Sequence, residues 1–145
     1  MARPSNPSTL RVVVAEDDDD MRTLVADALR RDGHHVTELQ HGGQVLALLA
    51  LDGKGARGQV ADLLVTDVNM PCVDGVKLVR ALRAAGWTRP AVMITAFGDA
   101  AAHASAAEVG ALILDKPFRL HDLRQLVITA GSIAAAAGRF DRRLP

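Results

Sequence analysis

From Leu10 onward the chain alternates short runs of β-branched and aliphatic residues with longer stretches whose apolar residues recur at helical spacing, and five such repeats can be counted. Strands that are apolar at nearly every position need cover on both faces. Alternating strands and helices provide it by closing helices over both sides of a parallel sheet. The predicted strands are Arg11 to Ala15, His35 to Leu39, Leu63 to Thr66, Ala91 to Thr95 and Ala111 to Leu114. Between them the pattern predicts helices over Asp19 to Arg31, Gly43 to Leu51, Gly75 to Ala85, Asp99 to Val109, and from Leu120 onward. In the first helix Met21, Leu24, Val25, Ala28 and Leu29 share a face, and Gly33 ends it. The expected class is α/β, a doubly wound (βα)5 sheet.

At 145 residues the chain is long enough for one domain with a substantial core. Residues 1–9 read as a flexible leader, 10–131 as the domain, and 132–145 as the end of the last helix and a tail, with the alanine-rich stretch from Ile133 to Ala137 as its frayed end. Seventeen Lys and Arg against seventeen Asp and Glu give a formal net charge of +0. No global field then favours nucleic acid or an anionic membrane, and neither is expected as a direct partner. The lone Cys72 has no partner for an internal disulfide, and no apolar stretch is long enough to span a bilayer, so the expected compartment is the cytoplasm. Residues Gly53 to Gly58 (GKGARG) match a dinucleotide-binding pattern in letters alone. That motif needs a strand before it and a helix after it, and here the order is reversed, so a surface loop is expected. The five histidines lack metal-ligand spacing, and Trp87 and Phe140 read as packing residues.

The stretch AEDDDDMR, Ala15 to Arg22, sets five carboxylates directly after an apolar strand. Taken alone it could be a solvated helix face or a tail. In an open parallel sheet, however, ligands bind outside the carboxyl ends of the strands. There the first strand offers Glu16 and Asp17, the third Asp67, the fourth Thr95, and the fifth leads into Lys116. Three ionised carboxylates in one crevice repel unless a cation compensates, and hard oxygen ligands of this kind suit Mg²⁺. Lys116 and the Thr95 hydroxyl would serve an incoming phosphoryl group, which makes Asp67, the central acid, the expected nucleophile.

Four blocks carry a family resemblance: VVVAEDDDDMR (Val12 to Arg22), LLVTDVNMPCVDG (Leu63 to Gly75), VMITAFGD (Val92 to Asp99) and DKPF (Asp115 to Phe118). In this order at strand ends, the chain resembles the receiver domain of bacterial two-component response regulators over nearly its whole length. The resemblance implies a flavodoxin-like sheet in the order 2-1-3-4-5, with Asp67 as phosphoacceptor and Thr95 and Lys116 as catalytic residues. It also implies Mg²⁺ held by Asp17 and Asp67 directly, by Glu16 through water, and by the backbone carbonyl of Asn69. Asp18, Asp19 and Asp20 are left to cap and open the first helix, and Asp74 to cap the third. A cis Lys116–Pro117 turn is implied as well.

The implied activity is that of a phosphorylatable switch, not an enzyme acting on external substrates. A histidine kinase or histidine phosphotransfer protein would feed it, and a downstream protein would read the face of the fourth helix, fifth strand and fifth helix. No output domain is expected after the last helix, so action through a bound partner or a phosphate relay is expected. Ile113 stands three positions before Lys116, where the family usually has an aromatic residue, so a rotating ring is not expected in the output. A phosphorylation-independent docking module, or a receiver piece of a larger hybrid kinase or regulator, are the alternatives. An aspartyl-phosphate phosphatase is disfavoured because Asn69 stands where its second carboxylic acid would be.

Overall fold

The apolar side chains of the inner strands alternate between two cores, one on each face of the sheet. The computed structural model describes residues 9–52 and 60–143, with side chains through residue 136. The elements run β1 (Arg11–Ala15), α1 (Asp19–Arg31), β2 (His35–Leu39), α2 (Gly42–Asp52), β3 (Leu63–Asp67), α3 (Gly75–Ala84), β4 (Ala91–Ala96), α4 (Ala100–Glu108), β5 (Leu112–Lys116) and α5 (Leu120–Arg143). All strand pairings are parallel, and the sheet order is β2-β1-β3-β4-β5. This is the expected doubly wound topology.

Val13, Ala15, Leu64 and Met93 face one core, shared with Val45 and Leu49 of α2, Leu78 and Leu82 of α3 and Ala102 and Ala106 of α4. Val12, Val14, Leu63, Val65, Val92 and Ile94 face the other, against Val25 and Leu29 of α1 and Leu123 and Val127 of α5. Trp87 is buried in the first core, as expected of a packing residue. The chain steps outward from β1 to β2, then returns past β1 to β3 and continues the other way. The crevice of such a sheet opens where that reversal occurs, above the carboxyl ends of β1 and β3.

Local chemistry explains the element ends. Asp18 is the N-cap of α1, its side chain accepting from the Met21 N–H at 3.0 Å, and Asp19 and Asp20 lie in the first turn near the positive end of the helix dipole. Gly33, at φ 93°, supplies the left-handed residue after that helix. Asp74 caps α3 through the Lys77 N–H at 2.8 Å, as the sequence indicates. Three strands reach further than their apolar runs, because the ladder continues through polar residues: Asp67 pairs with Ile94, Thr95 with Asp115 and Ala96 with Lys116. Helix α5 runs through the alanine-rich segment to Arg143. The glycine motif from Gly53 to Gly58, residues 1–8 of the expected leader and the side chain of Phe140 lie outside the described residues.

Gly75 opens α3 against the end of β3. A Cβ there would sit 2.4 Å from the Asp67 carbonyl oxygen and 2.9 Å from the Val68 Cα, both backbone atoms with no room to yield. By contrast, a Cβ on Gly43 in α2 meets nothing within 4 Å. Gly75→Ala is therefore expected to cost about 1–3 kcal/mol, the usual range for overpacking. Gly43→Ala should leave stability unchanged or slightly raised, since alanine is the better helix former. Urea unfolding midpoints of both variants check the contrast.

Candidate functional site

The carboxyl edge of the sheet gathers residues that are far apart in sequence. Strand β1 ends at Ala15, so Glu16 and Asp17 leave the regular pleat and both can turn toward one place. One carboxylate oxygen from each of Glu16, Asp17 and Asp67 lies within 4.8 Å of the others. Glu16 and Asp67 are buried, whereas Asp17 is exposed to solvent. From β5, Lys116 reaches Asp67 with its Nζ 3.0 Å from Oδ2. Strand β4 lies between those two strands and ends in Ala96, a side chain small enough for the lysine to pass. The Lys116–Pro117 peptide is cis, as the sequence leads one to expect.

Asp67 is held from several sides. Its Oδ1 accepts the Asn69 N–H at 3.1 Å, and its backbone carbonyl accepts the Thr66 hydroxyl at 3.0 Å. The next residue, Val68, donates its N–H to Ile94 and accepts from Gly75, both at 2.8 Å. The acceptor loop is thus tied to β4 on one side and to the start of α3 on the other.

The acidic run after β1 is organised by Arg22. Its guanidinium donates to the Glu16 backbone carbonyl at 2.8 Å, to the Asp19 carboxylate, and faces Glu38 of β2 at 3.7 Å. The Asp18 N–H donates to Glu16 Oε2 at 3.3 Å. The five acids divide accordingly: Glu16 and Asp17 face the cluster, Asp18 caps α1, Asp19 pairs with Arg22, and Asp20 sits in the first turn.

Burial is the main reason that Glu16 holds its proton, and the Asp67 charge beside it adds to the effect; together they raise its pKa from 4.5 to about 8. The cluster sets three carboxylates beside the single ammonium of Lys116. Three hard oxygen donors at this spacing, one of them open to solvent, fit a divalent cation of the Mg²⁺ type.

Thr95 is fully buried at the end of β4, and its hydroxyl is committed elsewhere: it donates to Asp99 Oδ2 at 3.3 Å. Asp99 in turn caps α4, its Oδ1 accepting the Ala102 N–H at 3.0 Å. Sequence reasoning placed Asp99 at the start of the fourth helix but gave it no part in the site. The four-residue spacing from Thr95 across a Gly98 turn was the available signal. Cys72 is exposed and carries a positive φ of 69°. Ile113 is half-buried, pairs with Met93 in the ladder and packs against the first core, so no aromatic ring occupies that position.

The model of the response regulator receiver domain matches residues 12–128, which spans the sheet, the acidic cluster and most of the helices. The chain belongs to this family. It is a receiver domain of two-component response regulators, and the family is a phosphoacceptor switch that binds Mg²⁺ at an acidic site. The receiver is 35% identical over 114 residues to the response regulator receiver protein CpdR of Brucella abortus (strain 2308), covering 78% of this chain and 89% of that protein. It is 32% identical over 117 residues to the DNA-binding transcriptional regulator NtrC of Salmonella typhimurium, where it spans 80% of this chain but 24% of NtrC. Its fold superposes on the chemotaxis response regulator CheY4 of Vibrio cholerae with a TM-score of 0.70 at 26% identity, covering 84% of this chain and 98% of that one. No helix among the described residues is long and apolar enough to cross a membrane.

The raised pKa of Glu16 has a consequence for stability. The group is protonated more readily in the folded chain than in the unfolded one. Its contribution is therefore complete below 4.5 and is lost as pH climbs through about 8. Without divalent cations, the receiver should lose stability across that window, and Glu16→Gln should flatten the slope. Denaturant titrations at pH 5, 6.5 and 8 in EDTA measure both slopes, and parallel slopes for the two proteins would contradict the assignment.

Proposed function

We propose that this receiver accepts a phosphoryl group on Asp67 in a Mg²⁺-dependent reaction and passes the change to a partner protein through the face formed by α4, β5 and α5. The observation that carries this reading is the environment of Asp67. It is a buried carboxylate with an ammonium on one oxygen, a backbone N–H on the other, and two more carboxylates within 4.8 Å. The donor would be a phosphohistidine on a histidine kinase or histidine phosphotransfer protein, the partner class of receivers in general.

In the transfer an Asp67 carboxylate oxygen forms a bond to phosphorus while the bond from phosphorus to the donor imidazole nitrogen breaks, the electron pair leaving with the imidazole. Asp17 and Asp67 would hold Mg²⁺ directly, with the Asn69 carbonyl, and Glu16 would hold it through water. When bound, the ion supplies positive charge that lets acceptor and phosphoryl oxygens approach each other. Lys116 moves its attraction from the free carboxylate to a phosphoryl oxygen, and the Thr95 hydroxyl gives that group a hydrogen bond. The Asn69 N–H keeps the acceptor carboxylate oriented.

Incubation with acetyl phosphate and Mg²⁺ should add the mass of one phosphate to the wild-type chain, and none to Asp67→Asn or to wild type in EDTA. Equal labelling of Asp67→Asn would overturn the acceptor assignment. Glu16→Gln should raise the Mg²⁺ concentration for half-maximal labelling by about 10- to 100-fold, the usual effect of losing a group that orients a metal's ligands.

A further inference from the structure

A hydroxyl has one proton to donate, and that of Thr95 is given to Asp99 Oδ2. While it stays there, it is not available to a phosphoryl oxygen on Asp67. The same carboxylate uses its other oxygen to cap α4 through the Ala102 N–H. One side chain therefore restrains the group that would bind phosphate and also sets the first turn of the helix that follows.

That helix is built to respond. Helix α4 reads AAAHASAAE, and only Ala102 and Ala106 of it are buried, so it presents small side chains to the core and gains little from apolar packing. Polar ties hold it in addition: Thr95 to Asp99, His103 Nε2 to Asp115 Oδ1 at 2.7 Å, and Arg80 of α3 to Glu108 at 3.2 Å. The Thr95 tie is long for an O–H···O bond, whose ordinary range is about 2.5–3.0 Å. A tie of that length is weaker than an ordinary hydroxyl hydrogen bond and can be exchanged for a shorter one.

We propose that Asp99 is a positioning residue that holds the Thr95 hydroxyl away from the acceptor in the unphosphorylated receiver, so that capture of a phosphoryl group by Thr95 releases the first turn of α4. This rests on the reading of Asp67 as the phosphoacceptor. It gives the chain a route from phosphate to its signalling face that does not require an aromatic ring at the position of Ile113.

Asp99→Asn separates the two jobs of the side chain. Its amide oxygen still caps α4, asparagine being as good a cap as aspartate. Its NH₂ donates and does not accept, so the Thr95 proton is freed. With acetyl phosphate and Mg²⁺, the donor concentration for half-maximal phosphorylation should fall roughly threefold to tenfold in Asp99→Asn, the net worth of about one ordinary hydrogen bond, as suits a tie this long. In a Thr95→Ala background the same substitution should have no effect, because there is no hydroxyl to free. Asp99→Ser, a cap with too short a reach, should behave like Asp99→Asn. A loss of helix stability alone would act equally in both backgrounds, and that outcome would overturn the proposal, as would wild-type behaviour of both variants.

The Ala102 amide resonance provides a second measurement. Phosphorylation should shift it in the wild type and leave it in place in Thr95→Ala; an equal shift in both would also overturn the proposal. Failure of the underlying reading looks different. A wild-type chain that takes no phosphate, or an Asp67→Asn chain that takes as much, removes the acceptor and this inference with it.

Discussion

The contact between the Lys116 ammonium and the Asp67 carboxylate, 3.0 Å across the end of β4, permits a buried acid at the centre of the sheet edge. An ionised group removed from water without a partner costs roughly several kcal/mol, and here Glu16 and Asp17 lie close enough to add repulsion. One ammonium offsets one carboxylate. Glu16 meets part of the remaining imbalance by keeping its proton, and Asp17 by staying in water. The site is therefore held together by incomplete neutralisation, which is why it suits a small divalent cation and an anionic group arriving together.

Everything around this cluster serves to keep its members in place. The Asp67 end of β3 is a ladder residue, as is Lys116 at the end of β5, so both side chains project from backbone that is fixed by its neighbours. The turn after β1 has no such ladder, and Arg22 takes its place by joining the Glu16 carbonyl, Asp19 and Glu38. The three aspartates that follow Asp17 are absorbed by the start of α1. A run of like charge that looks unfavourable in sequence is thus divided between a binding crevice and a helix terminus.

The features most legible in the sequence depend on neighbours in the chain. The extents of β1, β2 and α1 follow from apolar runs, the Asp18 cap and the turn at Gly33, all of which act over a few residues. The carboxyl ends of β3, β4 and β5 were harder to place, because a strand's last ladder bond depends on the strand beside it and not on its own hydrophobicity. The gathering of Glu16, Asp17, Asp67 and Lys116 was readable through the rule that parallel sheets bind at their carboxyl ends, aided by the four motif blocks. What escaped was the partner of Thr95. A hydroxyl's choice among acceptors is decided by a turn, here through Gly98, whose shape no periodicity reports.

The close seat of Gly75 on the carbonyl of Asp67 divides the molecule mechanically. Helix α3 begins in backbone contact with the very residue that would be modified, and its first turn has no freedom to slide without dragging that residue along. Helix α4, next to it, is held by alanines and a few exchangeable polar links. On the proposed reading, a protein that gripped α3 would hold the element seated on the acceptor, whereas one that gripped α4 would hold the element whose ties are to be exchanged. That reading would assign recognition of the phosphorylated form to the second helix and lasting attachment to the first.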